Sequence, residues 1–551
     1  MVLARSIDAL AQRRKRSFAQ QPRPERPALI AVLLVGIVLH VPDLGAAEPL
    51  RIGSITVITE DVYTAEEAKA GSAYAIVNSL HIRTRESIVR RLLLFREGDE
   101  YVDSRLAESE RNLRTLGFIS SARVTAGEPH DGVVDVTVVT QDSWSTEPGG
   151  TVGSAGGGTD ASFEIREANL LGLGKEFTIG YSTDPDRSGF GVRYEDPAMF
   201  GRYWSGDLLY AENSDGRRTR LLVDRPFFSF ATKWSIRALI DDETLGSRIY
   251  MGGAIASEFR ESRANLEIEA GRALVASDAR AHRLNFGIDF ESREFAPLPE
   301  GGTSALPTDR EYRYFVAEYE YAQNLYRKVD FVERDARVED YRLGTQLRVR
   351  AGVSPAFLGI EETTGILSVS MNRGWVLPGD AMILGGFSWE SRLGARNRNE
   401  ILGLDLRFIR RSGDEHPRAL VGRASLRRGR DLDAETQFFA DGDTGLRGYR
   451  LHSFSGDSSL LLNLEQRVFL GRELWQVVSP GVAVFVDAGN AANGSHAFDL
   501  SKLHWDAGVG LRIGASRSPR SMFRLDFAYA VDPDPLGRDG WLISFSGSQA
   551  F

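Results

Sequence analysis

The sequence predicts a mostly-β chain: a small mixed α+β module followed by a transmembrane antiparallel β-barrel. Three observations carry this. From Glu147 to Phe551, segments of about ten residues alternate apolar and polar positions between turn residues, with almost no amphipathic helix. Aromatic residues recur near the ends of those segments (Phe200, Tyr203, Trp204, Phe227, Phe228, Trp234 and Trp389), as in the girdles of a membrane barrel. Beyond residue 47 no apolar run is long enough to cross a membrane as a helix, so any crossing is made by strands.

Composition agrees. The chain has 551 residues, of which 42% are hydrophobic and 26% charged, with 56 Gly against 20 Pro, which excludes a disordered or collagen-like chain. It has no Cys, which removes disulfide frameworks, thiolate metal sites and Cys nucleophiles. Eight scattered His leave little room for a His-rich metal site, and a net charge of −9 argues against a nucleic-acid partner. No metal and no cofactor is expected.

The N-terminus reads as a targeting segment over residues 1–47. A basic region (Arg5, Arg13, Arg14, Lys15, Arg16, Arg23, Arg26) precedes an apolar stretch from Ala28 to Leu39 and the small residues Gly45-Ala46-Ala47. This order predicts a secretory signal peptide cleaved after Ala47, the alternative being an uncleaved anchor.

Residues 48–144 read as one compact module. Arg51 to Ile58 alternates as a strand. Two helices are predicted next, Thr84 to Phe95 and Asp103 to Leu116, the second with Asp103 as N-cap and Gly117 as its stop. Strands Phe118 to Thr125 and Val133 to Thr140 close the module around a turn at 128–132, giving the order βααββ.

Residues 145–551 are the predicted barrel. Phe177 to Tyr181, Gly206 to Tyr210, Leu284 to Phe290, Tyr312 to Tyr321, Leu347 to Val353 and Phe523 to Tyr529 are clear strands, and a direct count gives about twenty. The pair Gly172-x-Gly174 lacks the third Gly and the following helix of a nucleotide-binding loop. No nucleophile–base spacing stands out and no Gly-x-Ser-x-Gly occurs, so an enzyme is not expected.

One constellation is more specific. Residues 440–450 read Ala-Asp-Gly-Asp-Thr-Gly-Leu-Arg-Gly-Tyr-Arg, followed by Asn463-Leu-Glu465-Gln-Arg467, Phe485-Val-Asp487-Ala-Gly489 and Gly508-Val-Gly510-Leu-Arg512. With the chain ending in Phe551, this resembles the BamA/TamA outer-membrane assembly superfamily, which includes two-partner secretion transporters. Arg96-Glu97-Gly98-Asp99, Asn112-Leu113 and Gly117-Phe118 likewise resemble a polypeptide-transport-associated (POTRA) domain. Asn169-Leu-Leu-Gly172 and Asp196-Pro197 resemble early-barrel turns of the same family.

The resemblance implies a sixteen-strand barrel in the bacterial outer membrane, with one POTRA domain in the periplasm. It implies that a loop around 431–457 folds into the lumen and carries Leu446, Arg447, Gly448 and Tyr449. Arg447 would pair with Asp487, or with Glu465, on the barrel wall. Trp541 to Phe551 would be the C-terminal β-signal, through Phe545 and Phe551, although Gln549 stands where an apolar residue is usual. The implied partners are unfolded outer-membrane or secreted polypeptides and outer-membrane lipid, with periplasmic accessory proteins left open. Three functions follow: insertion or translocation of polypeptides at the POTRA domain and a barrel seam, a secretion pore dedicated to one partner, or a structural or lipid-handling barrel without protein clients.

Overall fold

The computed structural model describes residues 49–546, apart from 154–159, 184–186, 299–305, 334–337, 361, 396, 414–415, 472–473, 475–477, 516 and 518–521. The expected signal peptide (1–47), Gln549 and Phe551 lie outside the described residues.

Twenty antiparallel strands form a closed barrel, beginning at Thr146–Gly153 and ending at Gly540–Ser546, which sits beside the first strand. The direct count therefore holds, and the value of sixteen implied by resemblance is corrected. Each added pair of strands widens the barrel and leaves both chain ends on the same rim. The strands alternate faces. Along Val478–Ala492, Val482, Val484 and Val486 point outward while Gly481, Ala483, Phe485 and Asp487 are buried inside. Along His504–Ala515, Trp505, Val509, Leu511 and Ile513 are outward and Asp506 and Arg512 inward. An apolar exterior around a charged interior inverts a soluble protein and is the pattern of a barrel solvated by lipid.

The module before the barrel has a three-stranded sheet of order β1–β3–β2, from β1 (Arg51–Glu60), β2 (Ile119–Ala126) and β3 (Val133–Asp142). β1 runs parallel to β3 and β2 antiparallel to it. Four helices lie between β1 and β2: α1 (Ala65–Ala70), α2 (Ser72–Leu80), α3 (Glu86–Leu92) and α4 (Asp103–Arg114). Only the last two were expected. The signature of α1 is a capping box, in which Thr64 Oγ1 accepts from Glu67 N–H and Glu67 returns a bond to Thr64 N–H. Val102, not Asp103, is the N-cap of α4; Asp103 sits in the first turn, where a negative charge favours the helix dipole. The core is Ile52, Ile55, Val57, Ile88, Val89, Leu93, Leu106, Leu113, Ile119, Val136 and Val138.

Helix α4 lies against the turns at one end of the barrel. Arg105 pairs with Asp278 at 3.0 Å, Asn112 Nδ2 donates to the Phe228 carbonyl at 3.2 Å, and Arg114 forks onto Asp340. Tyr203, stacked on Phe228 with ring centroids 3.5 Å apart, donates its hydroxyl to the Leu93 carbonyl at 2.6 Å. The aromatic turns at 197–204 and 226–233 thus serve docking of the module as well as the rim.

Glu108 is buried in this interface. Its Oε1 accepts from Phe230 N–H at 3.1 Å, while Oε2 has no partner among the described residues. Burial pushes its pKa up to about 7, with Asp278 adding and the Phe230 amide, Arg111 and Arg283 opposing. A carboxyl raised in the docked state prefers its proton there. Docking is accordingly firmest below the ordinary carboxylate pKa and weakens as pH rises towards about 7. Glu108→Gln should flatten that dependence and slow amide exchange in α4 above pH 7, as read by deuterium exchange between pH 5 and 8.

Candidate functional site: a charged lumen closed by a folded-in loop

The loop between strands Arg418–Arg430 and Ser458–Phe469 turns back into the barrel. A short ladder between Phe438–Ala440 and Phe454–Gly456 narrows its base. Asp441 then organises the tip. Its Oδ1 accepts from Thr444 N–H at 3.0 Å, its Oδ2 from His452 N–H at 2.8 Å, and its carbonyl from Leu446 N–H at 2.7 Å. Gly445 adopts φ +123°, a conformation closed to side chains. Leu446 and Tyr449 are buried with Ala440, Phe454, Leu461, Ala491 and Ala530, and Tyr449 donates its hydroxyl to the Trp505 carbonyl at 3.1 Å. Gly448 lies flat on the wall. A Cβ there would stand 2.5 Å from Asp506 Cβ and 3.1 Å from Ala530 N.

This leaves Arg447 pointing at the wall, 2% exposed. Its guanidinium forks onto Asp487, with Nε to Oδ2 at 2.7 Å and Nη2 to Oδ1 at 3.0 Å, and its Nη1 reaches Glu465 Oε2 at 2.5 Å. The flat face rests on Phe485, 3.4 Å from the ring centroid. Gly508 makes room for that ring, since a Cβ there would stand 2.4 Å from Phe485 Cζ. Burial opposes charge on Arg447, but Asp487 and Glu465 outweigh it and hold the guanidinium protonated.

Strand register assembles the wall. Asn463 lies opposite Asp487, and Asp487 opposite Asp506. Positions 463, 465 and 467 therefore share the inner face. Asn463 Nδ2 bridges the Gly445 carbonyl and Asp487 Oδ1 at 2.6 and 2.8 Å. Glu465 accepts from three arginines: Arg447, Arg467 at 2.8 Å and Arg512 at 3.1 Å. Arg512 continues to Asp526 at 2.6 Å.

Leu446, Arg447, Gly448, Tyr449, Glu465 and Asp487 are thus brought into one site. The wider network of Asn463, Arg467, Arg512 and Asp526 was not anticipated, though the i, i+2 spacing of Asn463, Glu465 and Arg467 was a signal for it. Phe545 is elsewhere, on the outer side of the last strand, stacked with Phe523 at 5.9 Å. Among the described residues no cluster of His, Asp or Glu is arranged to hold a metal ion.

Residues 415–551, which span the loop and the strands that receive it, match the Omp85 superfamily domain. No curated protein matches the sequence. Among solved structures, BamA from Haemophilus ducreyi lacking POTRA domains 1–3 is similar at 13% identity and a TM-score of 0.38, over 90% of this chain and 84% of that one. CdiB from Acinetobacter baumannii is similar at 12% identity and 0.46, over 90% and 73%, and CdiB from Escherichia coli at 11% and 0.43, over 90% and 75%.

Removing one partner of a buried ion pair costs about 3–5 kcal/mol, because the other charge is left behind. Arg447→Ala and Asp487→Ala should each expose loop 431–457 to protease. The double variant should fall short of additivity by about 1–3 kcal/mol in denaturant titrations. Arg447→Lys should not restore protection, since an ammonium cannot reproduce the fork.

Proposed function

We propose that this protein inserts or translocates polypeptides at the outer membrane. Its N-terminal module would act as a POTRA domain on the periplasmic side. Extended client chains would add to the free edge of β2 and then pass to the seam between the first and last barrel strands.

The observation that carries the reading, beside the Omp85 domain, is the character of that seam. Within the described residues its strands are Thr146–Gly153 and Gly540–Ser546. The first strand contains Pro148, which has no N–H to donate, and Gly149, Gly150 and Gly153, which offer no side chain for cross-strand packing. A closure that lacks one backbone donor and has few side chains to pack is the least costly place to exchange one strand partner for another. Exchange also avoids baring backbone polar groups to lipid. The folded-in loop with its buried Arg447 weighs against a pore that stands open for one secreted partner.

Photo-crosslinkers at Arg123 on β2 and Ser544 on the last strand test this in cells. Both should capture outer-membrane polypeptides in transit, with Ser544 labelling later than Arg123. Capture of none at either position would remove the insertion and translocation reading, and would favour a barrel without protein clients.

A further inference from the structure

The free edge of β2 is occupied, and by a residue with a second task. Gly127 N–H donates to the Asp135 carbonyl at 2.8 Å. This sets the ladder phase, so residues 125 and 123 bond β3 while Val124, opposite Val138, turns its N–H to the free edge. That N–H donates to Glu110 Oε2 on α4 at 3.0 Å. The other oxygen of Glu110 receives Lys328 Nζ at 2.6 Å and also the Arg114 guanidinium one turn along the helix. Arg114 in turn forks onto Asp340, with contacts of 2.7 to 3.0 Å.

Lys328 and Asp340 stand on the two arms of a hairpin, Tyr326–Val329 and Glu339–Arg342, in the connection between the tenth and eleventh barrel strands. Beyond the hairpin this connection enters the lumen. Val329 and Val332 are buried with Met382, Ile409, Ala419, Val421 and Phe469. These five alternate with lipid-facing neighbours along their strands and so lie on the inner wall. Arg467 donates to the Val332 carbonyl at 2.8 Å and pairs with Glu333 at 3.6 Å; Arg407 pairs with Glu333 as well. Since Arg467 also bonds Glu465, this connection and the Arg447 loop hold the same wall network from opposite ends.

We propose that residues 326–333 and 339–342, in the connection between the tenth and eleventh strands, form a second lumenal plug, latched by Glu110, and that a client strand adding to β2 unlatches it by taking the Val124 N–H. This rests on the strand-addition reading above. An incoming carbonyl needs the donor that Glu110 now holds. Several backbone bonds formed along β2 can displace one carboxylate. Its departure removes the charge that holds Lys328 and steadies Arg114 against Asp340. Client arrival at the edge and closure of the lumen thereby compete for one backbone donor, the Val124 N–H.

The test is single-channel conductance of the full-length protein in planar bilayers, with an extended β-strand peptide as the client probe. A variant with 326–342 replaced by a short Gly-Ser turn should conduct steadily, and Glu110→Ala and Lys328→Ala should open about tenfold more often than wild type. The heat-shifted band on gels confirms that each variant is folded. The peptide should raise opening in wild type but add little in Glu110→Ala. If the folded short-turn variant conducts no more than wild type, the plug is refuted. If the peptide crosslinks to β2 yet opening does not change, the latch is refuted while strand addition stands. If the short-turn variant conducts but the peptide never crosslinks to β2, the plug stands and the strand-addition reading falls, together with its coupling to the latch.

Discussion

A sheet that crosses a bilayer has to close on itself, because lipid supplies no partner for an unpaired backbone N–H or carbonyl. Most of this structure follows from that constraint. Closure at twenty strands fixes an inside and an outside, and the two-residue period of a strand then sorts every side chain to one or the other. Val482, Val484 and Val486 go to lipid; Phe485 and Asp487 go to the lumen. The exterior is apolar, and the charges lie on the interior, where they must be matched to one another. Glu465, fully buried and bonded by three arginines, is the centre of that matching.

Matching charges inside a wide barrel requires material to fill it. Twenty strands enclose more space than wall side chains can occupy. Among the described residues two connections enter instead, each bringing its own counter-charges. The loop 431–457 brings Arg447 to Asp487 and Glu465; the connection after the tenth strand brings Glu333 to Arg407 and Arg467. Each also buries apolar side chains against the wall, Leu446 and Tyr449 with Leu461 and Ala491, and Val332 with Ile409, Val421 and Phe469. Each is held by a few strong, directional bonds whose geometry is specific and whose loss leaves an uncompensated charge behind. Such contacts favour two discrete arrangements, seated or withdrawn, over a graded one.

The barrel and its loop were legible in the sequence because each follows a local rule. Strand alternation is visible residue by residue, which is why direct counting reached about twenty while resemblance implied sixteen. Arg447, Asp487 and Glu465 could be named because Gly445 and Gly448 mark a tight turn and Phe-x-Asp-x-Gly marks an inward carboxylate. What could not be read depends on contacts distant in sequence. Val332 is buried against Phe469, and Arg114 meets Asp340 across 226 residues. Nothing local distinguishes 324–345 from an ordinary polar connection. Helix α1 is a different case: Thr64-x-x-Glu67 is a capping-box signature and was open to being recognised.

The placement of Glu110 shows how one requirement can generate another. An exposed strand edge invites unwanted pairing, and proteins commonly blunt it with charge. Here the blunting carboxylate comes from α4, the same helix that docks on the barrel turns. A carboxylate at that position has to be neutralised in turn, and Arg114 and Lys328 do so, one from the helix and one from the connection that enters the lumen. The chain has only six lysines against sixty-one arginines, and one of the six stands at this junction. An ammonium is a compact, rotatable donor that leaves more readily than a forked guanidinium. Arg114 provides the firm half of the contact with Asp340, and Lys328 the half that can be given up when Glu110 is drawn away.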